Sequence, residues 1–305
     1  MCAIFGLLDY KGRLKPVQKL HIIQALGEAA EVRGIDATGI AFFQRKKLSI
    51  QKAPKPAHKM KYRIPAEARY IMGHTRMTTQ GTAKRNYNNH PFSGKAGKQQ
   101  FALAHNGILY NDQYLRKSCK LPETAIETDS YVAVQLIEQE KEVSFASISK
   151  MAGMLEGHFT FTILDQNNNL YFVKGENPLT IYQYPDLGLY LYASTPTILE
   201  NALAELGMEK LTPEVIEPWD GDVLKIDQHG ETTSSQFVLR EEFPSRMSYP
   251  TRRYLIPYRH SQQEYIENLK AVAWVYGYDP AQIDALFADG FSEEDIEEMF
   301  YGYEL

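Results

Sequence analysis

The chain opens MCAIFG, residues 1–6, and the stretch admits two readings. Extended to CAIFGLLDY, residues 2–10, it is a continuous apolar run of strand length ended by a turn at YKG. Such a run predicts a strand covered on both faces, with cysteine merely its first small residue. As chemistry, the same stretch offers a nucleophile. Once Met1 is lost, Cys2 carries a free α-amine whose reference pKa of about 7.7–8.0 suits a base at neutral pH. Six residues alone favour the strand, so the remaining sequence has to decide.

Composition narrows the choice. The chain has 305 residues, 44% of them hydrophobic and 23% charged, which predicts a folded globular protein with one large core or a main domain plus appendage. A formal net charge of −5 gives no general electrostatic case for nucleic acid or an anionic membrane as partner. The basic run KAPKPAHKMKYR, residues 52–63, lacks interleaved aromatics and reads as a solvated loop. The two cysteines, Cys2 and Cys119, make neither a disulfide framework nor a zinc spacing; Cys119, in RKSCK, reads as an isolated thiol. There is no basic segment leading into an apolar signal and no stretch of about 18 apolar residues. A cytoplasmic protein without metal or cofactor is expected, since neither H-E-x-x-H nor a phosphate-binding G-x-x-x-x-G-K-[ST] occurs.

Residues 15–34 have helical spacing, with Pro16 suited to the first turn and Gly34 as the stop. TGIAFF (38–43) and KLSIQK (47–52) predict a hairpin. RYIMGHTRM (69–77) and QFALAHNGILYN (100–111) are strand candidates interrupted by polar residues, and ETDSYVAVQLIEQE (127–140) is helical with Thr128 as its cap. Four strands follow between 158 and 194, their tyrosines alternating as packing residues do. A helix over 195–207 and two strands within 214–227 close a main domain of residues 2–240. Residues 241–260 read as a linker or wrapping arm, and residues 261–305 as a small unit of three short helices. Those acidic, aromatic helices either dock a partner or pack on the main domain.

Three stretches place polar groups beside glycine where a buried strand does not need them: GHTRMTTQG (73–81), NNHPF (88–92) and AHNGILYN (104–111). Each taken singly reads as a turn with satisfied polar groups. Their order is more telling. MCAIFG, RGIDATGIA, GHTRMTTQG, NNHPF, AHNGILYN and ETDSY follow one another as in the class II glutamine amidotransferases. That group includes the glutaminase domains of glucosamine-phosphate synthase and phosphoribosyl-pyrophosphate amidotransferase, and the sequence resembles it from Cys2 to about Asp227. The resemblance implies an α+β fold, the four-layer αββα sandwich of N-terminal-nucleophile hydrolases, here with a small helical C-terminal appendage.

The same resemblance implies roles. Cys2 is the nucleophile that attacks the side-chain amide of L-glutamine or of a γ-glutamyl compound, forming a thioester and releasing ammonia. Asn106 and the N–H of Gly107 bind the oxyanion. Arg76 takes the α-carboxylate, Asp129 the α-ammonium, and Thr79 and His90 line the pocket. One arginine and one aspartate suit a zwitterion, and the guanidinium fork suits a carboxylate. Ala3, Met77 and Gln80 depart from the family pattern. The relatives continue into an acceptor domain of several hundred residues, so the expectation is an ammonia-accepting partner in trans. The alternatives are a stand-alone γ-glutamyl amidohydrolase and a silent glutamine-sensing module.

Overall fold

The computed structural model describes residues 2–239, Lys270 and residues 280–288. The chain divides into two units, Met1–Glu242 and Phe243–Leu305. In the second, the described helix α6 spans Pro280–Ala288, where the second of three tail helices is expected, and Asp284 pairs with Lys270 at 2.6 Å. The expected linker and the other two helices fall outside the described residues.

The first unit holds two antiparallel sheets. One has seven strands in the order β11-β9-β10-β1-β4-β2-β3, formed by Glu214–Ile216, Thr180–Tyr184, Leu189–Ala193, Ala3–Asp9, Tyr70–Arg76, Ala37–Gln44 and Lys47–Ala53. The other has six, in the order β13-β12-β8-β7-β6-β5, formed by Thr232–Gln236, Asp222–Ile226, Leu170–Lys174, Gly157–Asp165, Gln99–Leu109 and Phe92–Ala96. Helices α1 (Pro16–Ala29) and α5 (Pro196–Glu205) pack on the outer face of the first sheet. Helices α2 (Asp112–Ser118), α3 (Tyr131–Glu140) and α4 (Phe145–Ala152) pack on the outer face of the second. The inner faces meet in a third cluster, so the order is helices, sheet, sheet, helices. This is the sandwich expected.

β1 explains why its sequence is apolar without alternation. Ala3, Phe5 and Leu7 point to the helical layer, while Ile4 and Leu8 point between the sheets, and every residue of the strand is buried. Gly6 has no room for a side chain, because a Cβ there meets the Tyr192 ring at 2.6 Å. The strand stops at Asp9, whose buried carboxylate accepts from the N–H groups of Arg13 and Leu14 at 2.8 and 3.1 Å. The tyrosines 171, 182, 184, 190 and 192 are buried as expected.

Two local expectations are corrected. Helix α3 begins two residues later, with Ser130 at the N-cap position. Thr128 makes no cap: its buried hydroxyl finds no partner among the described residues. The strands β5 and β13 and the helices α2 and α4 were not anticipated. They are short and derive their stability from packing rather than from periodic pattern.

Candidate active site

Antiparallel pairing of β1 with β4 sets Ala3 opposite Thr75 and Ile4 opposite His74, which brings Cys2 to the same strand ends as Arg76. The half-buried Cys2 donates its thiol to the Met77 carbonyl at 3.4 Å. Burial pushes the thiol pKa up, the Arg76 charge opposes this, and the Asp129 carboxylate adds to it. The two charged residues and the sulfur therefore share one electrostatic environment.

The RGID stretch fastens this corner. Arg33 donates from Nε to the Cys2 carbonyl at 3.0 Å. Gly34 lies so close to the Arg76–Met77 peptide that a Cβ would fall 2.5 Å from the Met77 nitrogen. Asp36 donates its N–H to the Arg76 carbonyl at 3.0 Å and accepts the Thr78 N–H at 2.7 Å. The loop that receives the thiol is thus held at both ends.

Arg76 is 3% exposed, and burial lowers its pKa. Its Nη2 donates to the Gln80 and Gly81 carbonyls at 2.6 and 3.0 Å, and Nη1 donates to Asn89 Oδ1 at 2.7 Å. Three of the five guanidinium hydrogens are thus used among the described residues. Asn89 is steadied in turn by Lys52, which donates to the Asn89 carbonyl and, at 3.1 Å, to that of Pro91. Lys52 closes the expected strand 47–52 and also opens the basic run read as a solvated loop. It is the last-but-one residue of β3, and burial followed by Arg76 lowers its pKa to about 8.

Asp129 accepts Leu109 N–H at 2.7 Å and the Ser130 hydroxyl at 3.2 Å, and burial raises its pKa. The Ser130 oxygen accepts in turn from His105 Nδ1 at 2.8 Å, so a hydrogen-bonded relay runs from the β6 histidine to the carboxylate. His74 donates from Nε2 to the His105 carbonyl at 2.9 Å. Burial holds both imidazoles neutral, with pKa values lowered to about 3. His90 stacks between His74 and Phe92, with ring centroids 4.2 and 4.3 Å away, and neither of its ring nitrogens finds a partner among the described residues.

Asn106 and Gly107 lie on β6 opposite Thr160 and Phe159. Asn106 is fully buried, and its amide nitrogen and oxygen are both unpartnered among the described residues, the state of a group waiting for a ligand. Gly107 has φ +142°, and a Cβ would overlap the His158 carbonyl and stand 2.5 Å from Asn177 Nδ2. Its lack of a side chain is demanded by the protein's own backbone.

Cys2, Arg76, His90, Asn106, Gly107 and Asp129 therefore sit on the ends of β1, β4 and β6 and the segments following them. Thr79 stands apart: it is exposed, while the hydroxyl of its neighbour Thr78 is buried without a partner among the described residues. Sequence reasoning gave no role to Arg33, Asp36, Lys52, His74, His105, Ser130 or Asn177. The first two, both histidines and Ser130 stood inside quoted motifs. Asn177 carried no local signal.

Residues 74–201 match the model of a glutamine amidotransferase domain. The glutamine–fructose-6-phosphate aminotransferase of Listeria innocua is 30% identical over 257 residues, 82% of this chain and 39% of the relative. That of Sulfolobus acidocaldarius is 29% identical over 268 residues, 79% and 44%. The chain thus spans less than half the length of these relatives. The glutamine phosphoribosylpyrophosphate amidotransferase of B. subtilis superposes with a TM-score of 0.62 at 22% identity, covering 78% of this chain and 50% of that one, which is a likeness of fold. Together with the motif order, these matches support a class II glutamine amidotransferase domain, similar to the glutaminase domain of glucosamine-phosphate synthase.

Proposed function

We propose that the protein hydrolyses the side-chain amide of glutamine with Cys2 as nucleophile. The observation that carries this is the β1–β4 register, which sets Cys2 beside Arg76 at the strand ends of an amidotransferase-like fold. A thiol whose pKa is raised by burial needs a base. The α-amine freed by removal of Met1 is the base attached to the nucleophile itself. The amine takes the thiol proton as Sγ bonds to the amide carbon, and the carbonyl electrons move onto oxygen. Asn106 Nδ2 and Gly107 N–H receive that charge; loss of one such donor typically costs about 10²–10³ in rate. Collapse breaks the C–N bond, the ammonium returns its proton to the leaving nitrogen, and ammonia departs. Water then cleaves the thioester to glutamate and the regenerated thiol.

Arg76 takes the α-carboxylate, and Asp129 takes the α-ammonium. The ammonia passes to an acceptor, in keeping with relatives named glutamine–fructose-6-phosphate aminotransferase.

Intact mass and a glutaminase assay test this together. Loss of Met1, with glutamate production abolished in Cys2→Ala, is the expected result. Full retention of Met1, or equal rates in wild type and variant, refutes the nucleophile assignment.

A further inference from the structure

Asn177 belongs to the segment between β8 and β9, where the chain crosses from the six-stranded sheet to the seven-stranded one. Four hydrogen bonds fix its approach. Lys174 Nζ donates to the Gly175 carbonyl at 2.6 Å and also pairs with Asp220. Gly175 N–H donates to the Phe159 carbonyl at 3.0 Å, and Thr160 Oγ1 donates to the Asn177 carbonyl at 2.6 Å. So held, Asn177 Nδ2 donates to the Asn106 carbonyl at 2.9 Å.

That carbonyl and the Gly107 N–H are the two ends of one peptide group. A donor on the oxygen end pulls electron density along the amide and strengthens the N–H as a donor, because bonds in a chain polarise one another. It also fixes the plane of a peptide whose Gly107 φ of +142° leaves it short of ordinary strand geometry. Glycine at 107 makes the approach feasible, since a Cβ there would stand 2.5 Å from the same Nδ2.

We infer that Asn177 is a positioning residue for the oxyanion site: its amide holds and polarises the Asn106–Gly107 peptide so that Gly107 N–H faces the developing negative charge. This rests on the proposed glutaminase reaction for its catalytic consequence, but the peptide contact itself does not. The relay runs from Asn177 N–H to the Asn106 carbonyl, through the peptide, and from Gly107 N–H to the substrate oxygen. No proton is transferred along it.

Two readouts test the inference on the full chain. In the free protein, labelled at glycine, the Gly107 amide proton resonance is expected to move upfield in Asn177→Ala, as its polarising partner is removed. In the reaction, Asn177→Ala is expected to lower kcat about tenfold with KM within twofold. Affinity for the γ-aldehyde analogue of glutamine, which forms an oxyanion on the cysteine, should fall by the same factor. Asn177→Gln, which keeps the amide donor on a longer stem, should recover part of kcat, whereas Asn177→Asp, which places a negative acceptor against the carbonyl, should be worse than alanine.

An unmoved Gly107 resonance overturns the inference whatever the activity. So does a loss confined to KM, or a loss in Asn177→Ala accompanied by a lowered Tm that Asn177→Gln does not restore. If wild type and Cys2→Ala are equally inactive towards glutamine, the reaction assignment fails, and the resonance alone decides the role of Asn177.

Discussion

His74 on β4 donates from Nε2 to the carbonyl oxygen of His105 on β6 across 2.9 Å, joining the seven-stranded sheet to the six-stranded one one residue before Asn106. A side-chain bond across the sandwich ties the strand that carries Arg76 to the strand that carries the oxyanion donors. Sheets packed face to face are otherwise held by non-directional apolar contact, here through residues such as Ile4, Met72, Ala104 and Phe172. The histidine supplies the register that such contact lacks.

His74→Ala is expected to lower stability by about 2–4 kcal/mol, from a cavity plus an unpaired buried carbonyl. It should also reduce glutaminase kcat by more than tenfold. Urea denaturation with steady-state kinetics measures both. A variant with wild-type kcat at wild-type stability would show that the cross-sheet bond does not position the site.

Acid should weaken the fold before the carboxylates titrate. His74 and His105 have folded pKa values of about 3, and burial holds His90 well below its ordinary value. Between about pH 6.5 and 3 the unfolded chain therefore binds protons that the folded chain does not. Stability should rise with pH across that window by up to about 1.4 kcal/mol per unit per histidine, and level off above it. Asp112, Asp129 and Asp165, whose pKa values are raised by burial, act in the opposite sense, above the ordinary carboxylate value. A Tm unchanged from pH 7 to pH 5 would contradict this account, and His105→Gln should make the slope shallower.

Gly107→Ala should be inactive and less stable by about 2 kcal/mol or more, since φ +142° and the His158 carbonyl both oppose a side chain. The double change with Asn177→Ala should not restore it, because the His158 contact remains. Recovery of activity in the double variant would mean that the side chain of Asn177, rather than the backbone of β7, sets the constraint.

Arg76→Lys keeps the charge and loses the fork. The ammonium cannot serve the Gln80 and Gly81 carbonyls, Asn89 and a carboxylate together. KM for glutamine is expected to rise about 10²-fold, with a smaller fall in kcat. Isothermal titration of glutamine into the Cys2→Ala background separates binding from chemistry, and equal affinities for arginine and lysine there would remove Arg76 from the carboxylate site.

Much of this was legible in the chain. The unbroken apolar run 3–8 determined a doubly covered strand, because both faces of β1 are buried. The ordered motifs pointed to the family and, through it, to the seven site residues proposed, of which Thr79 lies exposed. Alternation determined that the tyrosines of β8 to β10 pack inside.

Tertiary structure decided the rest, for reasons of distance along the chain. Arg33 meets Cys2 across 31 residues, Lys52 meets Asn89 across 37, and Asn177 meets Asn106 across 71. No local period or propensity encodes such meetings. Cys2 itself shows the division. Sequence supplied a thiol at the head of a strand, whereas the burial that raises its pKa, and the charges that flank it, exist only once β1 lies beside β4 and the second sheet closes over them.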